Sequence, residues 1–170
     1  MTCLVSDEPP PGFRPCVGLL LLNRANRIFV GQRADLSFPA WQMPQGGIDP
    51  GETPVAAGLR ELREEIGTDR VELLKESRVW RSYELPPELA RRVWGGRYRG
   101  QAQRWLAFRF LGADEDIDID RPHREFRAWR WAEPAQVLNE IVPFKRDVYA
   151  SVLEEFRCLW EPAHQPGDAR

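Results

Sequence analysis

The stretch GLRELREEIG, residues 58–67, sets three carboxylates, Glu61, Glu64 and Glu65, among two guanidinium groups, Arg60 and Arg63. Charge runs on helices are ordinarily solvated faces. Two features of this run oppose that reading. Carboxylates at i, i+3 and i+4 repel one another by roughly 0.2–0.5 kcal/mol per pair. Acidic groups in the last turns of a helix also oppose its dipole. Bound divalent cations would relieve both conflicts, because hard cations such as Mg²⁺ take carboxylate oxygens. Just upstream, PQGGIDPGE (44–52) supplies Gly46, Gly47 and Gly51, where the backbone can come close to a ligand and offer it a carbonyl. Loop, helix and carboxylates together would form a cup for metal and phosphate.

The helix that must carry these groups is well punctuated. Thr53 is a candidate N-cap, Pro54 suits the first helical position, and Gly67 ends it. Val55, Leu59, Leu62 and Ile66 gather into one apolar stripe, with the three glutamates predicted roughly opposite it, on the polar face. Gly58 inside the helix costs about 1 kcal/mol relative to Ala, which calls for a packing or functional reason. Around it, VGLLLL (17–22) reads as a buried strand that forms a hairpin with a strand at 28–30. Residues 33–52 should be mostly loop, with a short strand at 41–43. Further strands are expected at 71–80, 103–111 and 128–131, a Pro-broken connection at 83–92, an acidic loop at 113–125, and helices at 134–139 and 144–160. Residues 1–13 are expected to be a flexible arm and 161–170 a flexible tail, flanking one domain at 14–160.

The 170 residues, 42% hydrophobic and 29% charged, fit a soluble globular domain. A net charge of −2 gives no blanket attraction to nucleic acid, so an anionic substrate must meet local cations. Cys3, Cys16 and Cys158 are too scattered for a disulfide framework or a zinc site. The N-terminus lacks the pattern of a secretory signal, and a cytoplasmic location is expected. Arg78, Arg81, Arg97, Arg99 and Arg104 interleave with Trp80, Trp94 and Trp105. This mixture suits either a path for a nucleic acid strand or the solvent face of a sheet. Aspartates at 114, 116, 118 and 120 and Glu125 have the spacing of a calcium-binding loop, but Ile119 stands where glycine is needed.

Gly46, Glu52 and the run Arg60-Glu61-Leu62-Arg63-Glu64-Glu65-Ile66-Gly67 resemble the Nudix box, G-x5-E-x7-R-E-U-x-E-E-x-G-U, with Thr68 at the final, usually aliphatic, position. The blocks RPCVG (14–18), WQMPQGG (41–47), GQAQRW (100–105), EFRAWRW (125–131) and PFKRDVY (143–149) are similar to the Nudix subgroup of bacterial RNA pyrophosphohydrolases and asymmetric dinucleoside tetraphosphate hydrolases. The resemblance implies an α/β fold, a Nudix α/β/α sandwich with a mixed central sheet. It implies Glu61, Glu64 and Glu65 as metal ligands, helped by the Gly47 carbonyl, with Arg60 and Glu52 as the pair fixing their geometry. Glu125 is implicated as catalytic base and further metal ligand, with Glu65 the alternative base. The family usually has Pro before this glutamate and Asp after the Phe; here Arg124 and Arg127 stand there. Phe144 is implied as a base-stacking surface, and Arg14, Arg33, Tyr83, Gln103 and Lys145 as contacts to phosphate or base.

The expected function is Mg²⁺-dependent hydrolysis of a phosphoanhydride, with Mn²⁺ or Zn²⁺ as substitutes. The expected substrate is the 5′-triphosphate end of RNA, converted to a monophosphate. Asymmetric cleavage of dinucleoside tetraphosphates to ATP and AMP is the near alternative, and a non-catalytic nucleotide-binding module the alternative of another class. A monomer without membrane association is expected.

Overall fold

The computed structural model describes residues 3–161. An eight-stranded mixed sheet forms the centre. Strands β1 (Leu4–Ser6), β2 (Phe13–Leu22), β3 (Ile28–Arg33), β4 (Trp41–Gln42) and β5 (Gln45–Gly47) precede helix α1 (Pro54–Ile66). Strand β6 (Val71–Glu84), helix α2 (Pro87–Trp94), β7 (Gly100–Phe110), β8 (Phe126–Ala132), α3 (Pro134–Glu140) and α4 (Arg146–Phe156) follow. The strand order is β1-β6-β7-β2-β3-β4, with β5 also paired to β2 and β8 to β3.

The continuous apolar run of β2 is explained by burial on both faces. Val17, Leu19 and Leu21 point to one side, where they meet Ala57, Leu62 and Ile66 of α1 and Leu106, Phe108 and Phe110 of β7. Leu20 and Leu22 point to the other, toward Trp105, Val148, Tyr149, Val152 and Phe156. Helix α1 covers one face and α3 with α4 the other, so the layers are α/β/α as expected. Along its length β2 runs parallel to β7, from Phe13↔Gly100 to Leu22↔Arg109.

Several expectations need correction. The arm at 1–13 is not loose throughout: β1 pairs with β6 over Leu4↔Ser82 to Ser6↔Trp80, and β2 begins at Phe13. Of the tail expected at 161–170, residues 162–170 lie outside the described residues. The hairpin closes only at Leu22↔Ile28, because β5 occupies that edge of β2 from Cys16 to Gly18. Strand β5 was hidden by its composition: glycines carry no strand signal, and it is backbone pairing that holds them. The strand expected at 71–80 continues to Glu84, and the connection after it contains two turns of helix α2. The helix expected at 144–160 is α4 between two 3-10 turns. Among the described residues no helix is long and apolar enough to cross a membrane.

Candidate active site

Local backbone features fix where the carboxylates go. Thr53 caps α1 by accepting from the Ala56 amide at 3.2 Å, and Gly67 ends it in the left-handed region at φ 76°. Gly58 explains its own cost: a Cβ there would lie 2.8 Å from Leu106 and 3.0 Å from Leu19, so α1 rests on the sheet with no room for a methyl group. That close approach lays Glu61 against Gly46, which β5 holds opposite Val17.

Arg60 organises the loop and the helix. Its Nε and Nη2 donate to the two carboxylate oxygens of Glu52 at 3.0 and 2.9 Å. Nη2 also donates to the Gly47 carbonyl at 2.7 Å, and Nη1 to Glu61 at 2.7 Å and Glu64 at 3.4 Å. Glu52 in turn accepts from the Asp49 amide at 3.0 Å, which closes the turn. The Arg60 hydrogen bonds, and to a lesser degree the Asp49 amide, hold the Glu52 carboxyl below its ordinary range.

The polar-face expectation for the glutamates is overturned for two of the three. Glu64 is exposed, but Glu61 and Glu65 are buried at 9% and 7% exposure. They escape the solvent side because Gly46, Gly47 and the 121–125 loop pass over that side of α1, a contact that helical periodicity cannot register. Burial raises the Glu61 carboxyl despite its bond to Arg60. Burial raises Glu65 well above the ordinary value, and the nearby Glu125 and Glu61 add to the effect. Glu65 Oε2 is buried and has no hydrogen-bond partner.

Glu61, Glu64, Glu65 and Glu125 line one cavity of about 400 Å³, together with Arg121, Pro122 and His123. Arg121 and His123 were missed by the sequence reading, since a loop residue carries no periodic signal of the surface it meets. Arg124 and Arg127, the departures from the family pattern, have structural roles. Arg124 donates to the Phe126 carbonyl at 2.9 Å; Arg127 donates to the carbonyls of Arg33 and Ala34, each at 3.0 Å, and to that of Leu36. Arg127, with the Ala34 amide bonded to the Glu125 carbonyl at 2.9 Å, ties the Glu125 loop to the segment after β3, while Arg124 braces the loop against the start of β8. Among the described residues no three ligating side chains converge on a closed metal cage. The residues nonetheless fit a hard divalent cation: the donors are all oxygen, Glu65 Oε2 lacks a partner, and Gly46 leaves a space that any Cβ would fill.

A second cavity, about 320 Å³, brings Arg33, Tyr83, Phe144 and Lys145 together. It is joined to the first by Arg33, whose guanidinium lies 3.3 Å from Glu125 while bonded to both oxygens of Asp35 at 2.8 and 2.6 Å. Phe144 is half-buried, its ring 5.9 Å from that of Tyr83. Gln103 lies beneath, fully buried, its amide donating to Gln45 at 2.9 Å and Gln101 at 3.1 Å, and the Tyr83 hydroxyl donates to Gln101 at 2.6 Å. Arg14 stands apart, in a separate groove beside Gly47.

Lys145 donates to Gln42 at 3.1 Å and Gln45 at 3.0 Å. Burial, aided by the positive charge of Arg33, lowers its ammonium to about 7. Between pH 7 and the ordinary lysine range the unfolded chain therefore binds more protons. The cost of burying this charge is fully present below pH 7 and is relieved as pH rises. Anion affinity should move the other way. KM for a polyphosphate substrate is expected to rise above pH 7 in the wild type. In Lys145→Gln it should be raised already at pH 6 and lose that dependence. Parallel KM profiles in the two proteins would refute a charged role for Lys145.

Comparisons with known proteins agree with this geometry. The NUDIX domain profile matches residues 12–152. The chain is 56% identical over 146 residues to a protein of Dinoroseobacter shibae named RNA pyrophosphohydrolase, covering 85% of this chain and 91% of that one. It is 51% identical over 147 residues to a protein of the same name from Rickettsia canadensis, covering 86% and 91%. Among solved structures, the E. coli dihydroneopterin triphosphate pyrophosphohydrolase superposes with a TM-score of 0.62 at 17% identity, over 82% of this chain and 95% of that one. A C. elegans Ap4A hydrolase superposes at 0.59 and 15% identity, over 84% and 98%. At such identities the structural likeness establishes the fold alone.

Proposed function

Because this chain belongs to the NUDIX family, we propose that it is an RNA pyrophosphohydrolase, a hydrolase of phosphoanhydride bonds that converts 5′-triphosphate RNA ends to monophosphates. The observation that carries the reading is the Arg33–Glu125 contact at 3.3 Å, which places a nucleotide-sized cleft directly beside a four-carboxylate cavity. The curated relatives at 50–56% identity support RNA as the substrate.

Glu61, Glu64, Glu65 and the Gly47 carbonyl would hold the divalent cation, Mg²⁺ in this proposal, with Glu125 completing the set. When bound, such a cation supplies charge neutralisation along the phosphate chain and acidification of water. The chain's own residues do the rest by position. Arg60, fixed by Glu52, ties Glu61, Glu64 and the Gly47 carbonyl to one guanidinium and so orders the proposed donors. Phe144 and Arg33 offer a stacking surface and a cation to the nucleotide, and Lys145 a second cation. Glu125, held by Arg33, accepts the proton of the attacking water, with Glu65 the other candidate. The oxygen of that water forms the new P–O bond, the anhydride P–O bond breaks, and pyrophosphate leaves with the electron pair.

Product analysis with Mg²⁺ tests the proposal, with 5′-triphosphorylated RNA and diadenosine tetraphosphate offered separately and in competition. Preferential pyrophosphate release from RNA is expected. Preferential formation of ATP and AMP would make the dinucleotide the substrate. Turnover of neither would overturn the proposal in favour of a binding module.

A further inference from the structure

A groove of about 840 Å³ lies beside the carboxylate cavity and the nucleotide cleft and is lined largely by other residues. Its lining includes Arg14, Trp80, Trp94, Arg97 and Tyr98 on one side and the 48–54 loop on the other. The aromatics are arranged as a shelf: Tyr98 meets Trp94 edge-on, with ring centres 6.0 Å apart, and the Arg14 guanidinium lies 5.9 Å over the Trp94 ring. The Gly95-Gly96 turn, at φ 59° and 79°, folds the chain back after α2 and returns Arg97 and Tyr98 to the groove.

Charge separates the two walls. The acidic groups of the loop wall are engaged: Glu52 is bonded through both oxygens to Arg60, and Asp49 lies 3.8 Å from the same guanidinium. Arg14 and Arg97 form no ion pair among the described residues, although the chain as a whole carries a net −2. The arginine–tryptophan mixture in the sequence thus divides. Arg81 is buried against Glu155 and Ser151, Trp105 lies in the core, and Arg104 is paired to Glu76. Trp80, Trp94 and Arg97 face the groove.

The groove also borders the site already described. Trp94 lines both it and the nucleotide cleft, and a Cβ on Gly47 would lie 2.4 Å from the Arg14 guanidinium. Free cations beside aromatic faces suit single-stranded nucleic acid, whose phosphates and bases alternate. We propose that this groove binds the RNA strand 3′ of the nucleotide held in the cleft, and so favours RNA over free dinucleotides. The choice of ligand rests on the function proposed above.

The test measures fluorescence anisotropy with 3′-fluorescein-labelled single-stranded RNA bearing a 5′-monophosphate, as an octamer and as a dinucleotide. The wild type should bind the octamer about tenfold more tightly, a gap that shrinks as salt is raised. Arg97→Glu and Trp80→Ala, made separately, should each reduce the gap to about twofold or less while leaving dinucleotide affinity unchanged, which also certifies the fold. Equal affinity for both lengths in the wild type would overturn the inference. So would a gap that survives in both variants, or variants that weaken both ligands alike. Pyrophosphate release from the triphosphorylated octamer is assayed alongside. Its absence with the length-dependent gap intact would remove the proposed reaction and leave the groove. Its presence without a gap would remove the groove alone.

Discussion

Glu65→Gln is expected to lower Mg²⁺-dependent turnover at least about 1,000-fold, equivalent to about 4 kcal/mol of transition-state stabilisation. The fold should not suffer. The Glu65 carboxyl is buried, its Oε2 has no partner, and Glu125 and Glu61 stand near enough to raise it further. In the metal-free protein the folded state therefore holds this proton to a higher pH than the unfolded chain does. Stability from this group is lost as pH rises from the ordinary carboxylate range through the raised folded value. An uncharged glutamine removes that loss, so the metal-free variant should melt at the same temperature as the wild type or higher at pH 8. Metal uptake by the wild type should release protons and strengthen with pH, and both effects should fall in the variant. Thermal melts with and without Mg²⁺, beside the turnover assay, check this. A variant with near-normal turnover would remove Glu65 from the metal site, and one unfolded without metal would show the carboxylate to be structural.

Gly46→Ala should lose about 100-fold in turnover through a single methyl group. A Cβ on Gly46 would lie 1.8 Å from the Glu61 carboxyl carbon and 2.0 and 2.2 Å from its oxygens. The carboxylate has to leave, and with it one of the proposed ligands. The backbone conformation at Gly46 is not left-handed, so alanine adds no strain of that kind. Gly47→Ala provides the contrast. Its Cβ would meet the Arg14 guanidinium at 2.4 Å, the far end of a flexible side chain that can swing aside. The Mg²⁺ concentration giving half-maximal rate should rise sharply in Gly46→Ala and much less in Gly47→Ala. Equal values in the two variants would disconnect Glu61 from the metal.

The sequence by itself determined the parts whose signals are local. The limits of α1 follow from Thr53, Pro54 and Gly67, all read directly. The double-faced burial of β2 was foreshadowed by its unbroken apolar run, and the carboxylate cluster by the conflict it creates within its own helix. The order of Gly46, Glu52 and the Arg60–Gly67 run carried the family. What periodicity could not give was anything created by one segment lying over another. Glu61 and Glu65 were placed on a polar face, yet they are buried, because the glycine strand β5 and the 121–125 loop cover them. Arg124 and Arg127 read as departures from a pattern, yet Arg127 pins the Glu125 loop to the segment after β3 and Arg124 braces it against β8. The arginine–tryptophan mixture could not be sorted until the sheet assigned Arg81 and Trp105 to the interior and Trp80 and Arg97 to the groove. Helical and strand periods specify which face of an element is apolar. Only tertiary packing decides what covers the other face, and at this site that covering buries Glu61 and Glu65 and leaves Glu64 exposed.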